Sequence, residues 1–328
     1  LEYHRVLHEG VFAAATALYG ITFHARPDLR GFTPDSEVYE VREADGTPLG
    51  AVILDPFTRP TKRGGAWMTS VVDQSELTGA LPVVTNTCNF TRPAEGAACL
   101  LTWDNVITMF HEFGHALHGL LSEVRYPSRA GTAVPRDFVE FPSQVNELWA
   151  WDETLISRFA VHHETGEPLP AGLVARLRAS RSAGEGHHTL ELVAAMLLDQ
   201  AWHTTVLEEL PTSVEELESF EAAALERAGV AHELVPPRYR SCYFSHVFGG
   251  GYAAAYYGYL WAEVMDADAC AWFADNGGLC RSAGEGFRRE LLGRGGSIEP
   301  MQAWRNFRRA DPDVSHLLRR KGLPVEQR

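Results

Sequence analysis

Apolar residues recur at helical spacing from Glu9 to Tyr19, and Gly20 closes the run. The pattern then changes. Glu37 to Glu43 is β-branched and aromatic, Asp45-Gly46 is a turn signal, and Leu49 to Leu54 supplies a second strand. Ala66 to Val72 and Leu81 to Asn89 read as two more strands joined by a polar connection, so a small sheet is expected at about 37–90. From Trp103 onward the pattern is helical, with expected helices over Trp103 to Leu121, Gly172 to Ser182, Thr189 to Glu209, Ser213 to Gly229, Ala253 to Asp266, Ala283 to Leu292 and Ile298 to Arg309. Ser213-Val214-Glu215-Glu216 has the form of a capping box. Clusters such as Pro236-Pro237 and Gly249-Gly250-Gly251 punctuate the chain without making long linkers. The expectation is one mainly α unit with a small β-sheet, an α+β fold, spanning 1–328.

Composition narrows the partners. The 328 residues are 45% hydrophobic and 22% charged, enough apolar material for a full-sized core. A formal net charge of -14 excludes nucleic acid and anionic membrane surfaces, which need a basic face. No apolar run approaches the roughly 18 to 20 residues of a membrane span, and Leu1 to Gly10 has no signal-peptide core. Five scattered cysteines without C-x-x-C spacing favour a reducing cytoplasm over a disulfide framework. In that compartment the sequon Asn89-Phe90-Thr91 is expected to carry no glycan.

The chemistry enters with His111-Glu112-Phe113-Gly114-His115 inside the Trp103 to Leu121 helix. Positions i and i+4 share a helix face, so both imidazoles can close on one metal ion, while Glu112 sits about 100° round and can serve as general base. Zinc, one ion, is the expected cofactor. A catalytic zinc takes three protein ligands and keeps a fourth position open. A third histidine ten residues after the first would stand at Leu121, so a carboxylate on a following helix is the remaining common choice. Glu123, Glu140 and Glu147 are the candidates. Glu123 is too close to the helix end to fold back over it. Glu140 lies in an apolar segment where a lone carboxylate is costly unless paired or metal-bound. Glu147 follows two helical turns later and could instead orient a ligand histidine.

A second segment, Arg238 to Trp261, combines His246, three adjacent glycines and Tyr252, Tyr256 and Tyr259. Peptide hydrolysis builds negative charge on the carbonyl oxygen, and histidine and tyrosine are suitable donors to it. Tyrosines at this helical spacing also read as a packed face, and both readings stand on pattern alone. Arg238 and Arg240, just upstream, are candidates to hold a substrate carboxylate, against a reading in which they brace the loop through local carboxylates.

Gly64-Gly65-Ala66-Trp67-Met68, Asp104 to Leu120, Pro135 to Gln144, Pro236 to Trp261 and Arg294-Gly295-Gly296-Ser297 together resemble the thimet oligopeptidase family of zinc metallopeptidases, and its bacterial peptidyl-dipeptidase branch most closely. The resemblance implies a zincin-like catalytic lobe of the gluzincin type, with His111, His115 and Glu140 as zinc ligands, Glu112 as general base, and His246, Tyr252 and Tyr259 on the substrate and oxyanion side. Tyr256, Arg238 and Arg240 join the substrate-binding candidates, as do Gly64, Gly65 and Ala66 if Gly64 to Met68 is an edge strand that pairs with an extended peptide. Glu147 is the candidate to orient a ligand histidine. His118 belongs to the family's extended motif without being a ligand. Family members carry a long helical N-terminal half ahead of the segment matching Leu1, so the chain resembles a C-terminal catalytic half whose missing half would be its partner. The implied activity is release of C-terminal dipeptides from short peptides. Internal cleavage of short peptides is the alternative, and a non-catalytic peptide-binding fragment is the alternative of another class.

Overall fold

The structure is a computed structural model and describes residues 1–325. The chain starts with α1 (Tyr3–Arg5), which runs through a π-helical stretch (Val6–Phe12) into α2 (Ala13–Tyr19). Strands β1 (Thr22–Ala25), β2 (Glu37–Arg42), β3 (Pro48–Phe57), β4 (Trp67–Val72) and β5 (Val83–Phe90) form one sheet in the order β1-β2-β3-β5-β4. Neighbours are antiparallel except β3 and β5, which run parallel with Val52 opposite Val84. β4 is therefore an edge strand. The sequence missed β1, which is four residues long and half exposed, too short for a period to register.

Helix α3 (Trp103–Leu120) begins at a reciprocal cap. The Thr102 hydroxyl accepts from the Asn105 amide and the Asn105 side chain accepts from the Thr102 amide, both at 3.2 Å. Phe110, Phe113, Leu117 and Leu120 bury one side of α3 in the main core, together with Val52, Leu54 and Val84 of the sheet and Leu7, Val11 and Leu18 of the first helical segment. The short α4 (Arg136–Val139) and α5 (Phe141–Glu147) follow, and a 3₁₀ turn (Leu148–Trp151) extends α5. Next come α6 (Glu153–Phe159), α7 (Ala171–Ala179), α8 (Glu185–Thr204) and α9 (Val214–Arg227). The chain closes with α10 (Ser245–Phe248), α11 (Gly258–Asp275), α12 (Arg281–Glu290), α13 (Pro300–Arg308) and α14 (Val314–Arg320). Among the described residues no helix is long and apolar enough to cross a membrane.

Several boundaries differ from the sequence reading, and α8 covers Glu185–Thr204 where Thr189 to Glu209 was expected. Gly64, Gly65 and Ala66 precede β4 instead of opening it, because the Asn89 side-chain amide donates to the carbonyls of Arg63 (2.6 Å) and Gly65 (2.7 Å) and gathers them into a bend. The same bonds give the sequon asparagine a structural task. Residues 253–257 are turn, and α11 starts at Gly258. At α9 the Ser213 hydroxyl caps the Glu216 amide at 3.3 Å, but the Glu216 carboxylate turns to the amide of Thr212 (2.7 Å), so the box closes one residue early.

The packing that positions the site is α3 against α5. A Cβ on Gly114 would lie 2.6 Å from the Ser143 Cα and 2.9 Å from the Asn146 Cβ, closer than real contacts allow. Glycine lets the two backbones touch, and the Asn146 amide fastens them by donating to the Phe110 carbonyl at 2.6 Å. Gly114→Ala must push α5 outward. We expect a loss of about 1–3 kcal/mol of stability, the usual cost of overpacking, read as a lower thermal midpoint. Weaker metal retention should accompany it, and an unchanged melt with full metal content would refute the close-packing role.

Candidate metal site and its surroundings

α3 presents His111 and His115 one turn apart, with ring centroids 5.0 Å from each other. Glu140, at the junction of α4 and α5, places its Oε2 3.2 Å from the Nε2 of both rings. The ligand atoms of these three residues all lie within 4.8 Å of one another. Glu140 is only 3% exposed. Burial acts to raise its pKa, but His115 and His111 outweigh this and hold the carboxyl well below its usual range. A buried anion among two imidazole nitrogens is a donor set of two nitrogens and one oxygen, which fits a divalent metal of the zinc kind. Among the described residues two other groups could in principle hold an ion, His162-His163-Glu164 and His187-His188-Glu191, but neither has a buried member.

Glu147 stands where it can orient His111: its Oε1 is 2.7 Å from Nδ1, leaving Nε2 to face Glu140. Glu123, the third carboxylate weighed from the sequence, lies elsewhere and meets Arg288 at 3.3 Å. Glu112 is 6% exposed, and its Oε2 has no hydrogen-bond partner. Burial pushes its pKa up, the direction useful to a group that must take a proton and return it. His118 is fully buried with neither ring nitrogen partnered; burial pushes its pKa down to about 3, so it packs as a neutral ring.

The tyrosine segment closes over this group. The Tyr252 hydroxyl donates to Glu140 Oε1, and its ring stacks on Tyr259 at 5.4 Å with an interplanar angle of 20°. Burial raises the pKa of both phenols, with Glu140 adding to the effect, so both stay protonated donors. His246 lies 6.2 Å from each of these rings, and burial lowers its pKa. Tyr256 is different. It is 3% exposed, and its ring meets Phe244 at 4.9 Å and Tyr239 at 6.0 Å, so it belongs to a packed apolar cluster. Arg238 pairs with Glu191 (3.2 Å) and Arg240 with the buried Glu221. Both arginines are thus engaged by local carboxylates.

Several residues that hold this arrangement were not singled out from the sequence. Asp199 of α8 is fully buried; its two oxygens accept from the amides of Ala254 (2.9 Å) and Tyr256 (3.0 Å). The Gln200 side chain donates to the Ala254 carbonyl at 2.9 Å. Between them they hold Ala254 at φ 55°, a left-handed turn that stops helix formation before Gly258. Gly258 then approaches α4 closely enough that a Cβ would lie 3.0 Å from the Arg136 carbonyl oxygen and the Asp137 Cα. Arg136 lies over the Tyr252 ring at 5.1 Å, and the Gln144 amide donates to the Tyr259 carbonyl at 3.2 Å. A lone carboxylate in an apolar helical run singled out Glu140, and the same signal was available at Asp199.

Comparison with known proteins agrees with this geometry. The model of peptidase family M3 matches residues 1–323, and the chain belongs to that family. It is 45% identical over 318 residues to the dipeptidyl carboxypeptidase of Salmonella typhimurium, covering 97% of this chain and 46% of that protein. It is 37% identical to oligopeptidase A of Escherichia coli, covering 96% of this chain and 46% of that protein. The chain thus spans about half the length of the curated relatives it matches. Among solved structures, a putative oligoendopeptidase F from Bacillus anthracis shares the fold, with a TM-score of 0.50 at 17% identity, over 82% of this chain and 39% of that one.

The two carboxylates separate by their expected failures. Glu140→Ala removes one of three donors and should release the metal, whereas Glu112→Gln should keep it and lose only turnover. Metal content of the two purified variants checks this, and full occupancy in Glu140→Ala would move the third donor to Glu147.

Proposed function

From membership of peptidase family M3, and from the convergence of His111, His115 and Glu140 beside the unpartnered carboxylate of Glu112, we propose that this chain is the catalytic part of a zinc metallopeptidase that releases dipeptides from the C-termini of short peptides. The convergence is the observation that carries the reading. The dipeptide-releasing specificity is supported by the higher identity to a dipeptidyl carboxypeptidase than to oligopeptidase A, 45% against 37%. Because the chain spans 46% of those relatives, the activity of the whole protein is part of the proposal. The free thiols of all five cysteines fit a reducing compartment, and the proposed location is the cytoplasm.

Zinc held at this site would lower the pKa of a bound water toward 7 and polarise the scissile carbonyl. Glu112 takes a proton from the attacking water and passes it to the leaving amine; its unpartnered Oε2 is free for this. Glu147 holds His111 in the tautomer that leaves Nε2 available. Tyr252 and Tyr259 act as donors to the carbonyl oxygen as charge builds on it, and His246 positions substrate or shares that donation. Tyr252 must leave Glu140 to do so, and exchanging one acceptor for another costs it little. The free edge of β4, from Trp67, is available to pair with an extended peptide.

Mass spectrometry of products from a defined peptide, with and without chelator, tests the reading in the full-length protein. Successive loss of C-terminal dipeptides, abolished by chelation, is expected. Internal cuts would favour the oligopeptidase reading, and no cleavage with full zinc content would favour a peptide-binding protein. In the same assay Tyr252→Phe and Tyr259→Phe should each lower kcat about 10²- to 10³-fold with a smaller change in KM. Unchanged kcat in both would return the tyrosines to packing.

A further inference from the structure

A dipeptide-releasing enzyme must recognise a free carboxylate two residues beyond the scissile bond, and both arginines expected for that task are paired with carboxylates of their own. A different arginine is available. Beside the metal site lies a polar cavity of about 420 Å³ whose wall includes Glu147, the residue bonded to His111, and also Arg178, Arg181 and Arg320. Arg320 is 2.7 Å from Asp266, and Arg178 is 2.5 Å from Glu153. Arg181 pairs with no carboxylate among the described residues. Its guanidinium lies instead over the Trp151 ring, 4.6 Å from the centroid.

That placement leaves the planar fork of N–H donors free while one face is stacked, which is the way an arginine is prepared for a bidentate carboxylate. Partial burial and the charge of Arg320 both depress its pKa, so an incoming anion relieves an unfavourable charge. Arg181 is also exposed enough for a ligand to reach it. The cavity's own carboxylates, Glu147, Glu263 and Asp266, disfavour a polyanion such as a nucleotide but tolerate a single negative charge. Glu147, bonded to His111 and part of the cavity wall, is the residue that the metal site and the cavity share, so the two are neighbours.

We propose that Arg181, stacked on Trp151 in this cavity, binds the C-terminal carboxylate of the substrate and so sets the two-residue cutting distance. The inference rests on the dipeptide-releasing reading above. In the zinc-loaded full-length protein, one good peptide is compared as free acid and as C-terminal amide, in wild type, Arg181→Ala and Arg181→Lys. Wild type should prefer the free acid. Arg181→Ala should lower kcat/KM for the free acid about 10- to 100-fold, chiefly through KM, and leave the amide nearly unaffected, so that the preference disappears. Arg181→Lys should restore part of it, since the charge returns without the fork. Inhibition by the free product dipeptide should weaken in parallel in Arg181→Ala, while metal content and melting midpoint hold. A wild-type preference that survives intact in Arg181→Ala overturns the assignment and leaves the dipeptide reading standing. Equal cleavage of acid and amide by wild type overturns both.

Discussion

The close backbone approach of α3 to α5 at Gly114 governs what the chemistry can be. A helix carrying two histidines one turn apart supplies only half a coordination sphere. The rest must come from another element brought in close, since Glu140 offers a short side chain and a fixed place at the head of α5. With a Cβ at position 114, α5 would have to move out by a sizeable part of an ångström, and the 3.2 Å distances from Glu140 to both rings would open together. The Asn146 bond to the Phe110 carbonyl ensures that the helices do not merely approach but keep one register. A glycine inside the motif is thus a packing residue with a chemical consequence.

Closeness also creates an electrostatic debt. Glu140 and Glu112 are both buried, and an isolated buried carboxylate is expensive unless a positive charge or hydrogen bonds compensate it. Glu140 is compensated by two imidazoles and the Tyr252 hydroxyl, while Glu112 retains one oxygen with no partner. The tyrosine bond carries the effect outward, because it links the donor set to a segment that Asp199 and Gln200 hold from α8. Three parts of the chain far apart in sequence therefore meet at one carboxylate.

This explains what was legible in the sequence and what was not. The H-E-x-x-H helix depends on local spacing, and four of the five strands depend on local alternation and turn chemistry, so each could be read from its own residues. The carboxylate that joins the two histidines could not be fixed that way. Glu123, Glu140 and Glu147 differ only in where α5 returns, which Gly114 and Asn146 decide by contact. The start of α11 was misplaced for a similar reason: Ala253 to Tyr257 have helical propensity, and a buried aspartate some fifty residues upstream overrides it by binding the Ala254 and Tyr256 amides. For Arg238 and Arg240 the sequence left two readings open, since proximity to His246 said nothing about Glu191 and Glu221, with which they pair as the loop-bracing reading expects.

Charge is what finally joins the acidic chain to its proposed reaction. A net charge of -14 would seem a poor setting for gathering peptides that end in carboxylates. At 0.15 M ionic strength, however, exposed charges are screened over about 8 Å, so the global balance matters less than the few groups within reach of the ligand. Those groups are arranged asymmetrically. Carboxylates crowd the two histidines, where a metal cation would neutralise them, and the cationic residues of the neighbouring cavity are matched by acids except at Arg181. A peptide lying across the site would meet compensated negative charge at its scissile bond and, in the neighbouring cavity, the uncompensated charge of Arg181. That difference along a single path gives the substrate a direction, which a uniformly basic surface could not do.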